Sequence, residues 1–233
     1  MVLVVLVPMV LVVLVPVVLP APSAPSARQV VMLPSPAHRA AVAFVRGGLL
    51  AIVTLLAAPR VAALDRAIPS LSDGAGAVGW LLPVAGFAAA GAFGGAALGR
   101  GRAGARAFAL GGLVSGLVMS AVWPQLAGLT GREPLGVVVA FSAGGWAAAF
   151  GAGGAVAGWG VDRRAAAWLA CRFAIAGAAG ALVFVAPSLA QPLGYGEWPA
   201  PARLLVTTVT SVAGLLAPFA IGGAAAGRRL GED

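Results

Sequence analysis

Residues 86–100 read GFAAAGAFGGAALGR, residues 145–159 read GWAAAFGAGGAVAGW, and residues 214–228 read GLLAPFAIGGAAAGR. The three stretches share one internal spacing. A glycine and a bulky apolar residue (Gly86-Phe87, Gly145-Trp146, Gly214-Leu215) precede a Gly-Gly-Ala triplet, and the second glycine of that pair is followed four residues later by another. Self-similarity at fixed spacing is the mark of a repeated structural unit. A second pattern lies ahead of the first two copies. Ala43-Phe44-x-x-Gly47-Gly48-Leu49 matches Ala107-Phe108-x-x-Gly111-Gly112-Leu113, with a weaker third version at Phe173 and Gly177. These segments run to Pro59, Pro124 and Pro187, where a helix is expected to stop. The unit is therefore a helical hairpin: a leading helix, a proline-terminated loop and a glycine-rich return helix.

Composition says what surrounds those hairpins. The chain is 61% hydrophobic and 9% charged, with a mean hydropathy of +0.99. A soluble domain is about 45–50% apolar and about 25% charged, so this chain lacks the polar atoms to face water. The expected fold is all-α: a polytopic integral membrane protein of six core transmembrane helices, arranged as three tandem helical-hairpin repeats after an N-terminal hydrophobic segment. The spans are expected near residues 41–58, 78–98, 105–123, 137–158, 166–186 and 204–226. At 1.5 Å per residue each is long enough for a hydrocarbon core of about 30 Å. The divisions are 1–37 (hydrophobic segment and Pro/Ala/Ser linker), 38–101, 102–160 and 161–233, the last with a short basic tail. The hairpins could circle a pseudo-threefold axis or form a linear array.

Residues 1–16 are the octapeptide MVLVVLVP written twice. The apolar run is Val-rich and carries Pro8 and Pro16, which makes it a poor helix. Three readings fit: a reverse anchor, a translated repeat ahead of a start at Met32, or a cleaved signal with Ala21-Pro22-Ser23 as its small-residue site. No basic residue precedes the run, which weighs against the signal.

Charge orients the spans. Arg39, Arg46, Arg100, Arg102, Arg106, Arg163, Arg164, Arg172, Arg228 and Arg229 fall between hairpins or near the chain end, joined by Arg28 if residues 1–20 span. The loops inside the hairpins hold only Arg60, Arg66, Arg132 and Arg203, matched by Asp65, Asp73, Glu133 and Glu197. This bias places residues 38 and 233 in the cytoplasm of a plasma membrane. The net charge of +8 then faces anionic lipid headgroups rather than nucleic acid. A further membrane protein or a second copy of the chain is an open partner.

The glycines are read as packing surfaces. Gly95 and Gly99, Gly154 and Gly158, and Gly223 and Gly227 each share one helical face, extended by Gly86, Gly94, Gly145, Gly153, Gly214 and Gly222. Helices in lipid gain little from apolar burial, so close backbone approach must hold them together. The other reading of the same glycines is close approach of backbone to a solute in a pore.

Chemistry-bearing residues are few. The basic residues are all Arg, Lys and Asn are absent, and His38, Cys171 and Tyr195 are single copies. There is thus no lysine for a Schiff base or a P-loop, and no His/Cys metal set or disulfide pair. No cofactor and no catalytic residue is expected. No Asp or Glu falls inside the expected spans, which argues against a carboxylate proton relay. Arg46, Arg106 and Arg172 are read as snorkelling to the interface, or else as a guanidinium ring attracting anions. In the last span Thr207, Ser211 and Pro218 share a face and form the candidate solute path, although their hydroxyls could equally bond to their own helix. Trp80, Trp123, Tyr195 and Trp198 are expected at the outer interface, and Trp159 and Trp168 at the inner one; Trp146 is read as core. The functional expectation is a non-catalytic packing, assembly or scaffold subunit held by glycine contacts. The alternative is a transporter or channel for a small neutral or anionic solute.

Overall fold

Six α-helices account for most of the described residues. The structure, a computed structural model, describes residues 35–67, 72–128 and 133–231; the N-terminal octapeptide repeat, and with it the choice between anchor, signal and start at Met32, lies outside them. The helices are α1 (Pro36–Ala67), α2 (Ser72–Ala96), α3 (Gly101–Gly128), α4 (Leu135–Val161), α5 (Ala166–Leu189) and α6 (Ala200–Leu230). Short 3₁₀ turns at Arg163–Ala165, Gln191–Leu193 and Tyr195–Glu197 join the later ones. Among the described residues there is no strand. Each helix contains a segment long and apolar enough to cross a membrane, with mean hydropathy between 1.5 and 2.1. The shortest, Val78–Ala96 at 19 residues, reaches about 28 Å.

Local chemistry sets the ends of these helices. At the start of α1 the Ser35 hydroxyl accepts from the His38 N–H at 3.3 Å and the Ser35 carbonyl from Arg39 N–H at 3.0 Å, while Pro36 occupies the first helical position. Between α2 and α3 the chain reverses through Gly99 and Gly101, with φ of +77° and +55°. Side chains with a Cβ avoid that left-handed region, so glycine belongs there. Between α4 and α5, Asp162 is extended and its carboxylate accepts from Arg164 N–H at 2.9 Å, which caps the 3₁₀ turn.

The prolines do not end the helices as expected. Pro59, Pro124 and Pro187 lie inside α1, α3 and α5, as Pro83 and Pro218 lie inside α2 and α6. An interior proline deletes one backbone bond and costs about 3 kcal/mol in an isolated helix, but packing against neighbours carries each helix past it. One consequence is that Arg60 to Ala67 continue α1.

The helices form a closed ring. Each packs on its two neighbours in chain order, and α6 closes on α1. The centre holds Phe44, Phe87, Phe108, Trp146, Phe150, Phe173 and Phe219, all buried. The outside is apolar too: Leu110, Phe93, Leu205 and Leu81 are each more than half exposed. Residues 34–233 make one compact unit.

Candidate functional site

Glycines decide how closely the ring closes, and their neighbours follow one rule. On the return helices α2, α4 and α6 the second glycine of each pair meets the next leading helix around the ring. A methyl on Gly95 would strike the Gly104 carbonyl and lie 2.8 Å from Phe108 Cβ. A methyl on Gly154 would lie 2.8 Å from the Leu169 carbonyl oxygen and 3.0 Å from Phe173 Cβ, and one on Gly223 would lie 2.9 Å from Phe44 Cβ. The sequence from α2 to α3, α4 to α5 and α6 to α1 thus uses one contact three times.

The first glycine of each pair faces its own leading helix: Gly94 meets the Phe44 ring, Gly153 the Ser115 hydroxyl and Gly222 the Phe173 ring. Gly48, Gly112 and Gly177 complete the pattern against the preceding return helix, at Phe219, the Phe87 carbonyl and the Trp146 carbonyl. Helices this close gain dispersion and weak Cα–H···O contacts along their whole length.

The remaining packing glycines have similar surroundings, with one exception. Gly86 abuts Thr54, Gly145 abuts Val122, and Gly214 sits 2.7 Å, measured from an added methyl, from the Gly180 carbonyl. Gly158 and Gly227 are held against Ala166 and Ala37, each at 2.7 Å or less from an added methyl. Gly99 is different. It has open space around it and a positive φ, so it serves the α2–α3 turn rather than a helix contact. The reason is that α2 ends at Ala96, before the last glycine of its pattern, whereas α4 and α6 run beyond theirs.

Because the helices meet at glycine, the large rings between them turn inward and stack in layers. Phe44, Phe108 and Phe173 form one triangle, with ring centroids 5.4, 6.1 and 6.4 Å apart. Phe87, Phe150 and Phe219 form a second, at 5.8, 5.7 and 5.5 Å. These are the offset and edge-on separations at which aromatic pairs attract. Phe150 and Phe219 occupy one position in the glycine pattern. In the first hairpin that position is Gly91, pressed against the Phe108 carbonyl, and Phe87 one turn earlier supplies the third ring.

Two small cavities adjoin the second triangle. A cavity of about 30 Å³ lies between the triangles, and Ser115 is the one side chain with a polar group on its wall. A second, of about 10 Å³, is lined by Phe87, Phe150 and Phe219 from the other side together with Leu55, Met119 and Trp146. Trp146 is 1% exposed and its indole N–H has no hydrogen-bond partner among the described residues. A buried donor without a partner costs about 1–3 kcal/mol.

The candidate path residues sit elsewhere. Thr207 is bound to Tyr195, whose hydroxyl donates to the Arg203 carbonyl at 2.7 Å and lies 2.8 Å from Thr207 Oγ1. Ser211 is half-buried, and Pro218 is buried against Gly180, where its Cδ would touch an added methyl at 2.7 Å. None of the three lines either axial cavity. Thr210 bonds back to the Val206 carbonyl at 2.8 Å, as helical hydroxyls commonly do.

The arginines and aromatics divide in the same way. Arg46, Arg106 and Arg172 are exposed, and Arg46 and Arg106 stand two residues from an inward-facing phenylalanine, about 200° round the helix. They form no ring on the axis. Arg172 and Arg163 lie over the faces of Trp168 and Trp159, at 5.3 and 4.9 Å. Trp80, Trp159 and Trp198 are exposed as expected for a belt, but Tyr195 is buried, its ring 5.4 Å from that of Trp198.

Ser115 and the inward phenylalanines line the larger cavity, a place their positions along the chain did not reveal. For Phe44, Phe108 and Phe173 the signal was their shared place ahead of the paired glycines. No cluster of three or more His, Cys, Asp or Glu that could hold a metal occurs among the described residues. No protein family, characterised protein or solved structure matches the chain.

Proposed function

We propose that this chain is a multi-pass integral membrane protein in which three helical hairpins circle a pseudo-threefold axis, and that it is a non-catalytic body held together by glycine contacts. The observation that carries this reading is the thrice-used contact of Gly95, Gly154 and Gly223 with Phe108, Phe173 and Phe44 on the next helix. Three hairpins of one register supply that pattern directly; a linear array would leave the α6–α1 contact without a purpose. An apolar exterior on every helix supports lipid as the surrounding medium, since in water so large an exposed surface would aggregate. The arginine bias supports a plasma membrane with residues 38 and 233 on the cytoplasmic side, where Arg163 over Trp159 and Arg172 over Trp168 suit contact with anionic headgroups.

The test is topological. With Cys171 changed to Ala, single cysteines at the exposed positions 102, 164 and 229, at the same helix ends, are expected to react with an impermeant maleimide from one side of the membrane only, and all from the same side. Labelling of any one of them from the opposite side would end the three-hairpin reading.

A second reading, passage of a small solute along the axis, has its own observation: the two cavities on either face of the Phe87, Phe150 and Phe219 layer.

A further inference from the structure

Resting on that second reading and narrowing it, we propose that the two cavities are consecutive stations for a single small neutral molecule of the size of water or ammonia, with the Phe87, Phe150 and Phe219 layer as the barrier between them. Size comes first. A water-sized body needs about 10–15 Å³ measured in this way, so the larger cavity of about 30 Å³ takes two or three and the smaller of about 10 Å³ takes one. Anything much larger has to push the rings aside.

Charge comes next. No ionisable side chain is on the wall of either cavity. An unpaired ion moved from water into such surroundings loses tens of kcal/mol of solvation on an idealised estimate, whereas a neutral molecule gives up only its hydrogen bonds. The notion of an anionic solute is thereby set aside in favour of a neutral one.

Hydrogen bonding completes the description. The larger station offers one polar side chain, Ser115, and the smaller is walled by apolar surface alone. A resident water requires two to four partners, so neither station holds one tightly, and a continuous water file, with the proton conduction it brings, is not sustained. A rim of phenylalanine rings that dries when empty is a known form of gate. The Ser115 hydroxyl both donates and accepts, so it suits water and ammonia alike.

The test uses the full chain reconstituted into vesicles of phosphatidylcholine and phosphatidylglycerol, with ammonia as the probe read by an entrapped pH dye and water read by osmotic shrinkage. Vesicles with protein are expected to alkalinise several-fold faster than protein-free vesicles when ammonium chloride is added, while potassium and chloride stay impermeant. Ser115→Ala, which keeps the packing volume nearly unchanged, is expected to slow ammonia by about fivefold, the factor one lost hydrogen bond confers. Rates equal to those of protein-free vesicles for both probes overturn the proposal, provided the protein melts cooperatively and labels with the topology given above. In that case the membrane-ring reading survives and only the path falls. Ammonia flux indifferent to Ser115→Ala, or measurable chloride flux, overturns it as well.

Discussion

Glycine does at single positions what large side chains do in soluble cores. A methyl at Gly154 would stand 2.8 Å from the Leu169 carbonyl oxygen, and that atom is backbone, so it has no rotamer in which to move away. Gly154→Leu is therefore expected to push α4 from α5, costing at least the 1–3 kcal/mol typical of overpacking, with Gly95→Leu and Gly223→Leu behaving alike. Gly144→Ala supplies the contrast. Nothing lies within 4 Å of a methyl there, so removing a helical glycine is expected to stabilise by up to about 1 kcal/mol. Thermal melts in detergent read both, and equal melting temperatures for wild type and Gly154→Leu would remove the packing role. All but one of the twelve glycines singled out by spacing are in close contact; Gly99 needed the observed end of α2 to show that it serves a turn.

At the scale of elements, the link between α5 and α6 depends on one side chain. Tyr195, 5% exposed, donates to the Arg203 carbonyl in the first turn of α6, and so has its lone pair free for the Thr207 hydroxyl. Tyr195→Phe removes both bonds and is expected to cost about 1–3 kcal/mol. Thr207→Val removes one, and the double variant is expected to lose less than the sum, because the two groups share a bond. Additive losses would mean the two side chains act separately. The sequence pointed to a tyrosine at a membrane interface and a threonine on a path. What it lacked was the pair of 3₁₀ turns, with Gly194 at a φ of +80° between them, that folds residue 195 back onto residue 207. The prolines misled for a related reason: local sterics forecast a break, while contacts with neighbouring helices hold the helix through it.

For the whole molecule, the decisive contact is the one furthest apart in the chain. Gly227 of α6 lies against Ala37 and Ala40 of α1, and a β-carbon at 227 would be 2.9 Å from that of Ala40. Disulfide-bonded residues have β-carbons about 3.8 Å apart, so with modest relaxation cysteines at 40 and 227, in a background lacking Cys171, are expected to cross-link within one chain on oxidation. A faster-migrating species on a denaturing gel reports the closed ring. Cross-links appearing between chains alone would indicate that α1 meets α6 of a neighbour and that the ring is open.

Sequence by itself determined that the chain is helical and where its six apolar segments lie, because those properties follow from composition and from hydropathy along the chain. Tertiary structure decided the rest. That Phe44, Phe108 and Phe173 converge, that Phe87 stands in for a ring missing at Gly91, and that Ser115 faces a cavity while Thr207 does not, all depend on the rotation of each helix about its own axis. That rotation is fixed by which neighbour its glycines touch, and nothing within a single helix records it.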